Sequence, residues 1–156
     1  MRMSLHSDFS LRVLLALGVA GDRRSTIGSI AAQYGISRNH LMKVCHRLRQ
    51  FGYIEAVRGK NGGLRLARDP TTIRIGDVVR DMEPDFELVE CFSSDNRCVI
   101  TRACRLQEVL SAGLQDFFAS LNRHTLADLL DVGPGLAEAL RPVSPPTPGR
   151  RVSRPG

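Results

Sequence analysis

Residues 37–68, SRNHLMKVCHRLRQFGYIEAVRGKNGGLRLAR, constrain what this chain can fold into more than any other stretch, because their apolar period changes once. Leu41, Val44, Cys45, Leu48 and Phe51 recur three and four residues apart, the stripe of an amphipathic helix over 38–51 with Ser37 as its cap. Tyr53–Val57 and Leu64–Arg68 then alternate with period two, so both are expected as strands. Between them lies Arg58-Gly59-Lys60-Asn61-Gly62-Gly63, whose glycines allow the positive φ of a tight hairpin. Just upstream, Thr26 caps a short helix with Ile27, Ile30, Ala31 and Tyr34 on one face, ended by Gly35. Two helices across a short glycine turn, followed by a basic hairpin, predict a winged helix-turn-helix. The fold class is therefore mainly α with a small β-hairpin wing.

Off the apolar stripe of the 38–51 helix lie Arg38, Asn39, His40, Lys43, His46, Arg47 and Gln50. Arginine and asparagine near the start of such a helix suit guanine and adenine edges in a major groove. Arg58, Lys60 and Arg65 of the hairpin suit phosphates or a minor groove. Charge agrees: residues 1–68 hold 12 Lys/Arg against 3 Asp/Glu, residues 69–95 hold 2 against 8, and residues 96–156 hold 8 against 5. A basic front half suits double-stranded DNA, although many solvated helices are as basic.

The flanks complete a single core with appendages. Ser7 is expected to cap a first helix over 8–20, apolar nearly all round and so buried from several sides. After Asp69-Pro70, a short strand near Ile73 leads to a helix with Ile75, Val78, Val79 and Met82 inward, ended by Pro84. Thr101 is expected to cap a long helix over 102–122, in which Leu110, Leu114, Phe117 and Leu121 form a seam for another helix. Thr125 and Asp128 carry a capping-box pattern for one last short helix. From residue 133 the Pro/Arg/Ser/Gly composition predicts disorder, apart from a transient turn over 136–140. The expected division is 1–83 for DNA binding, 84–104 for a cysteine loop, 105–132 for dimerisation and 133–156 as a tail. Apolar runs too short for a bilayer, and an N-terminus without a signal-peptide core, point to the cytoplasm.

Three of the four cysteines fall in CFSSDNRCVITRAC, residues 91–104, as Cys91, Cys98 and Cys104. In a reducing compartment such clustering favours metal binding over structural disulfides. The C-x6-C-x5-C spacing is too wide for a zinc knuckle, whereas iron–sulfur clusters place each iron at its own corner and tolerate such spacing. A fourth ligand is then missing. His6, His40, His46 and Glu90 are alternatives, each better explained as a surface or phosphate-contacting group. Cys45 sits on the apolar stripe and reads as a small buried hydrophobe.

The segments SLHSDFSLRVLLAL, SRNHLMKVCHRLRQFGYIEAVRGKNGGLRLA and IRIGDVVRDME, with the three spaced cysteines, resemble the NsrR/IscR family of winged-helix iron–sulfur repressors over about residues 1–131. One branch has a histidine ligand three residues after its third cysteine; here that residue is Gln107, so the chain is more similar to the nitric-oxide-sensing branch. That resemblance implies Asp8 as fourth ligand, taken from the other subunit of a homodimer. It also implies an A·T-rich inverted-repeat operator and loss of DNA binding when nitric oxide attacks the cluster. Three thiolates and one oxygen serve either a 4Fe–4S or a 2Fe–2S cluster; the compact cube is favoured because it accommodates one odd corner.

An enzyme finds no support, since neither a nucleotide-binding glycine loop nor a nucleophile–base pair is present. The competing regulator is a cluster-free thiol switch in which Cys91, Cys98 and Cys104 form disulfides on oxidation.

Overall fold

The computed structural model describes residues 3–59, 62–131 and 133–140. Helices α1 (Leu5–Ala20), α2 (Ile27–Tyr34) and α3 (Arg38–Gln50) precede a hairpin of β1 (Ile54–Val57) and β2 (Gly63–Leu66). Helix α4 (Ile75–Met82), the long α5 (Leu106–Leu121), α6 (Leu126–Leu130) and α7 (Pro134–Ala139) follow. The expected winged helix-turn-helix is present, with each strand four residues long against the five that the alternation suggested.

Helix α1 is the element the others pack around, touching α3, α4, α6 and β2. Its Val13, Leu14 and Leu17 meet Leu41, Val44 and Leu48 of α3, and Val78 and Met82 of α4, in one core that Tyr53, Ile73 and Leu126 complete. Gly35 adopts the left-handed conformation at the end of α2 (φ 64°), which lets the chain turn into α3 within three residues. The strands pair antiparallel, Ile54 with Leu66 through Val57 with Gly63. At Gly62 an added Cβ would lie 2.5 Å from the Val57 carbonyl oxygen, so this turn position requires glycine. Ser25 exchanges two backbone hydrogen bonds with Leu64 (3.1 and 2.7 Å), tying the hairpin to the α1–α2 loop.

Five expectations are corrected. Helix α1 starts three residues before the expected point: Ser4 is the cap, its hydroxyl accepting from the Ser7 N–H at 3.2 Å, while Ser7 itself is fully buried. Ser37 stands at the start of α3 but its side chain makes no capping bond. The strand expected near Ile73 is a 3-10 turn over Pro70–Thr72 followed by a single bridge, Arg74 to Thr125. Helix α5 begins at Leu106, four residues late, because the Thr101 hydroxyl is engaged within the preceding loop. Finally, α7 forms where disorder was expected, with Leu140 buried; Leu136 and Leu140, one turn apart, give that segment an apolar edge. The remaining tail, residues 141–156, lies outside the described residues.

Helix α5 joins the body through its C-terminal half. The Asn122 side chain, just beyond it, accepts from the Asp77 N–H at 3.0 Å and donates to the Asp77 carboxylate at 2.9 Å. Phe118 is buried beneath the Arg80 guanidinium, 4.5 Å from its ring centroid. The N-terminal half projects, leaving Leu106 and Val109 exposed. Thr125 and Asp128 form the expected capping box at α6.

Candidate functional site

The cysteine loop begins at Pro84, where proline and the extended Glu83 stop α4. Cys91 lies in a 3-10 turn, Glu90–Phe92. Asn96 then folds the chain as an Asx turn, its Oδ1 accepting from the Cys98 N–H at 3.0 Å. Its Nδ2 donates to the Thr101 hydroxyl (3.0 Å), which in turn donates to the Cys98 carbonyl (2.8 Å). Cys104 stands just before α5, and its sulfur accepts from the Leu106 N–H at 3.4 Å. A thiolate at this place meets the positive end of a sixteen-residue helix.

These turns bring Cys91, Cys98 and Cys104 onto one cavity of about 150 Å³, with Val89, Ile100 and Leu106 as apolar walls. All three thiols are free. Among the described residues no three His, Cys, Asp or Glu side chains converge on a point as a single bound ion would need. Sulfurs spread around a cavity suit a cage with separate iron corners. On donor chemistry and shape, the residues fit an iron–sulfur cluster.

Three further polar residues line the cavity: Thr101, already placed in the Asn96 turn, Gln107 and Glu90. Gln107 donates its amide to the Cys91 carbonyl at 2.9 Å, bracing the loop against α5. Glu90 is the one carboxylate among the lining residues, and its Oε1 accepts from the Arg97 N–H at 3.0 Å. His6, His40, His46 and Asp8 are not among those residues. Asp8 instead lies on the α1 surface, held by Arg12 through contacts of 2.9 and 3.0 Å. Cys45 is buried in the core and its thiol is pushed up to about 11 by that burial. Sequence reasoning missed Asn96 and Gln107 as the residues that shape the loop; the Asn-x-Cys spacing was the available signal for the first.

The second candidate surface is the outer side of α3 and the hairpin. Arg38, Asn39, His40 and Lys43 are all exposed, and His40 packs edge-on to Phe9 with centroids 5.7 Å apart. Arg58 and Arg65 are exposed on the hairpin, Arg65 paired with Glu55 of the facing strand at 2.6 Å. Lys60 lies outside the described residues. Arg47 is the exception, for it is half-buried and its guanidinium ends on α4. Its Nη2 donates to the Asp81 carbonyl at 2.8 Å and its Nε to the same oxygen at 3.1 Å. Among the described residues, no helix is long and apolar enough to cross a membrane.

Comparison with known proteins agrees with this layout. A family model described as Rrf2, iron-dependent transcriptional regulator, matches residues 3–132. The HTH-type transcriptional regulator NsrR of Bacillus subtilis is 48% identical over 132 residues, covering 83% of this chain and 90% of that one. The protein of the same name from Geobacillus kaustophilus is 44% identical over 143 residues, covering 90% and 97%. Among solved structures, T. potens IscR superposes with a TM-score of 0.65 at 26% identity, over 83% of this chain and 86% of that one. CymR of B. subtilis, at 24% identity and a TM-score of 0.66 over 83% and 96%, shares the fold. With a winged helix-turn-helix, and with matches that span most of its length, the chain belongs to the Rrf2 family of transcriptional regulators, DNA-binding proteins rather than enzymes.

Proposed function

We propose that this regulator is a nitric-oxide-responsive repressor. It binds an inverted-repeat operator as a homodimer while an iron–sulfur cluster, 4Fe–4S in preference to 2Fe–2S, occupies the cysteine cavity. The observation that carries the reading is the single cavity shared by Cys91, Cys98 and Cys104 at the head of α5. Bound there, the cluster supplies iron that reacts with a small neutral gas. The chain's own residues do the rest. Three thiolates hold the group, the α5 terminus offsets their negative charge, and Gln107 fixes the loop to the helix.

The fourth corner is assigned to Asp8 of a second subunit. Around the cavity mouth Val99 and Ile100 are 97% and 57% exposed, and Val109 on the outer face of α5 is 66% exposed. Surfaces of this kind mark a contact with another protein. On α1, Leu5 is 52% exposed and lies one turn from Asp8, so an apolar group and a carboxylate share that face. A partner's α1 laid over the cavity mouth brings both together. A carboxylate is a harder, weaker ligand for this iron than thiolate, which makes that corner the entry point for the gas.

In the same reading Arg38 and Asn39 contact base edges, with His40 and Lys43 beside them. Arg58, Lys60 and Arg65 hold phosphates or the minor groove. Arg47, turned toward α4, is left out of this set. The test is anaerobic reconstitution of each cysteine variant. Cys91→Ala, Cys98→Ala and Cys104→Ala lose the visible chromophore, and Cys45→Ala keeps it. A chromophore that survives in any of the three loop variants overturns the assignment. A wild-type protein that stays colourless and loses thiols reversibly on oxidation establishes the disulfide switch instead.

A further inference from the structure

We propose that Arg47 is the positioning residue through which the cysteine loop controls the attitude of the DNA-reading helix; this rests on the cluster-dependent reading above. Its place in α3 is one turn beyond Lys43, but unlike the exposed Lys43 it is half-buried. The side chain leaves that helix and ends on α4. Besides its two bonds to the Asp81 carbonyl, its Nη2 lies 3.5 Å from the Glu83 carbonyl. The last carbonyls of a helix have no partner within it and carry partial negative charge, so a guanidinium there is held by geometry and by charge. The guanidinium also lies over the Phe51 ring, its carbon 5.7 Å from the centroid.

The point that Arg47 grips is a junction. The Tyr53 hydroxyl, on a residue that is almost wholly buried, donates to the Asp81 carboxylate at 2.6 Å. Burial and then this hydrogen bond hold the Tyr53 phenol well above its ordinary range, so it remains a donor at neutral pH. Glu83 accepts from the Ser4 N–H at 2.8 Å, joining α4 to the capped start of α1, one turn from Asp8. Pro84 follows at once and Cys91 lies eight residues after Glu83. On that short span Phe86 stacks edge-on to Phe118 of α5, with centroids 4.8 Å apart. The loop therefore cannot shift at Cys91 without loading Asp81 and Glu83, and those two residues are what hold α3 by its arginine. Base-edge hydrogen bonds are made over only a few tenths of an ångström, so a small swing of α3 separates strong from weak binding.

The test measures affinity for one duplex, selected by the protein from a random pool, in the cluster-loaded and cluster-free states. The wild type is measured in parallel with Arg47→Met and Arg47→Lys. Arg47→Met is expected to keep the chromophore and its bleaching by nitric oxide, while the ratio of the two affinities falls at least tenfold toward one. Arg47→Lys, which still reaches one carbonyl, recovers part of the ratio. An equal loss of affinity in both states would make Arg47 an ordinary structural or DNA contact and overturn the proposal. An unchanged ratio would do the same. Should Arg47→Met fail to fold, Tyr53→Phe, which keeps the buried ring and removes only the hydroxyl, is expected to lower the ratio several-fold. An unaltered ratio in both Tyr53→Phe and Arg47→Lys overturns the proposal. Equal affinities in the two wild-type states would instead remove the cluster-dependent reading itself, and this role with it.

Discussion

Replacing Gly76 with alanine tests whether the crossing of α4 and α5 holds in place the long helix that follows the cysteine loop. An added Cβ would lie 2.4 Å from the Asn122 Oδ1, 2.8 Å from its Cγ and 2.9 Å from the Phe118 carbonyl oxygen. The carbonyl belongs to α5 and cannot move without the helix, so Asn122 must leave. Its two hydrogen bonds to Asp77 go with it, a loss of about 0.5–1.5 kcal/mol each. Forcing α4 and α5 apart adds about 1–3 kcal/mol of overpacking. Removing a helical glycine returns at most about 1 kcal/mol. The net expectation is a loss of about 1–5 kcal/mol. Urea unfolding of the cluster-free protein at fixed concentration, followed by far-UV circular dichroism, measures it as a lower midpoint at constant slope. Gly28→Ala in α2 is the control, since its Cβ meets only the Thr26 hydroxyl at 3.8 Å and it should stabilise by about 0.5–1 kcal/mol. An unchanged or raised midpoint for Gly76→Ala would refute the close crossing.

The other expectations follow from the same structure. Cys45, with its thiol pushed up to about 11, has little thiolate at neutral pH. In the native protein it should resist alkylation until the pH nears that value, whereas Cys91, Cys98 and Cys104 in the cluster-free protein react first; mass mapping of the label decides. Arg38→Ala and Asn39→Ala should each cost about 1–3 kcal/mol on a selected site and relax base preference. Lys60→Ala should weaken selected and random duplexes alike and flatten the salt slope by about one unit, as a binding titration across salt would show. Mixed dimers of an Asp8→Ala chain with a Cys98→Ala chain should retain about half the native cluster, one site losing two ligands and the other keeping all four. Complete loss of native cluster in those dimers would place the fourth ligand within the same chain.

The parts legible from sequence are those written in local patterns. Period 3–4 to Phe51 followed by period 2 from Tyr53 gave α3 and the hairpin, and Thr125 with Asp128 gave the cap of α6. What failed depended on hydrogen-bond partners that periodicity does not reveal. Ser4 and Ser7 both offer a capping hydroxyl, and the choice falls to Ser4, whose N–H is taken by the Glu83 carboxylate 79 positions away. Thr101 is a good helix cap by type, yet Asn96 and the Cys98 carbonyl capture its hydroxyl and leave the head of α5 to the Cys104 sulfur. Arg47 lies on a basic helix off the apolar stripe, and nothing local distinguishes it from Lys43; only the end of α4 does. For the candidate site, spacing alone indicated three cysteines serving one function. Their common cavity depends on turns made by Asn96 and on Gln107, which no periodicity encodes.

The most direct measurement of the central claim is an anaerobic nitric-oxide titration of the reconstituted protein bound to a selected duplex. Visible absorbance and DNA binding are followed in the same sample. The account predicts a coloured protein whose absorbance bleaches and whose DNA is released over the same additions of gas, with Cys98→Ala colourless and weakly bound throughout. Bleaching that leaves the duplex bound, or release from a protein that never had colour, would contradict it.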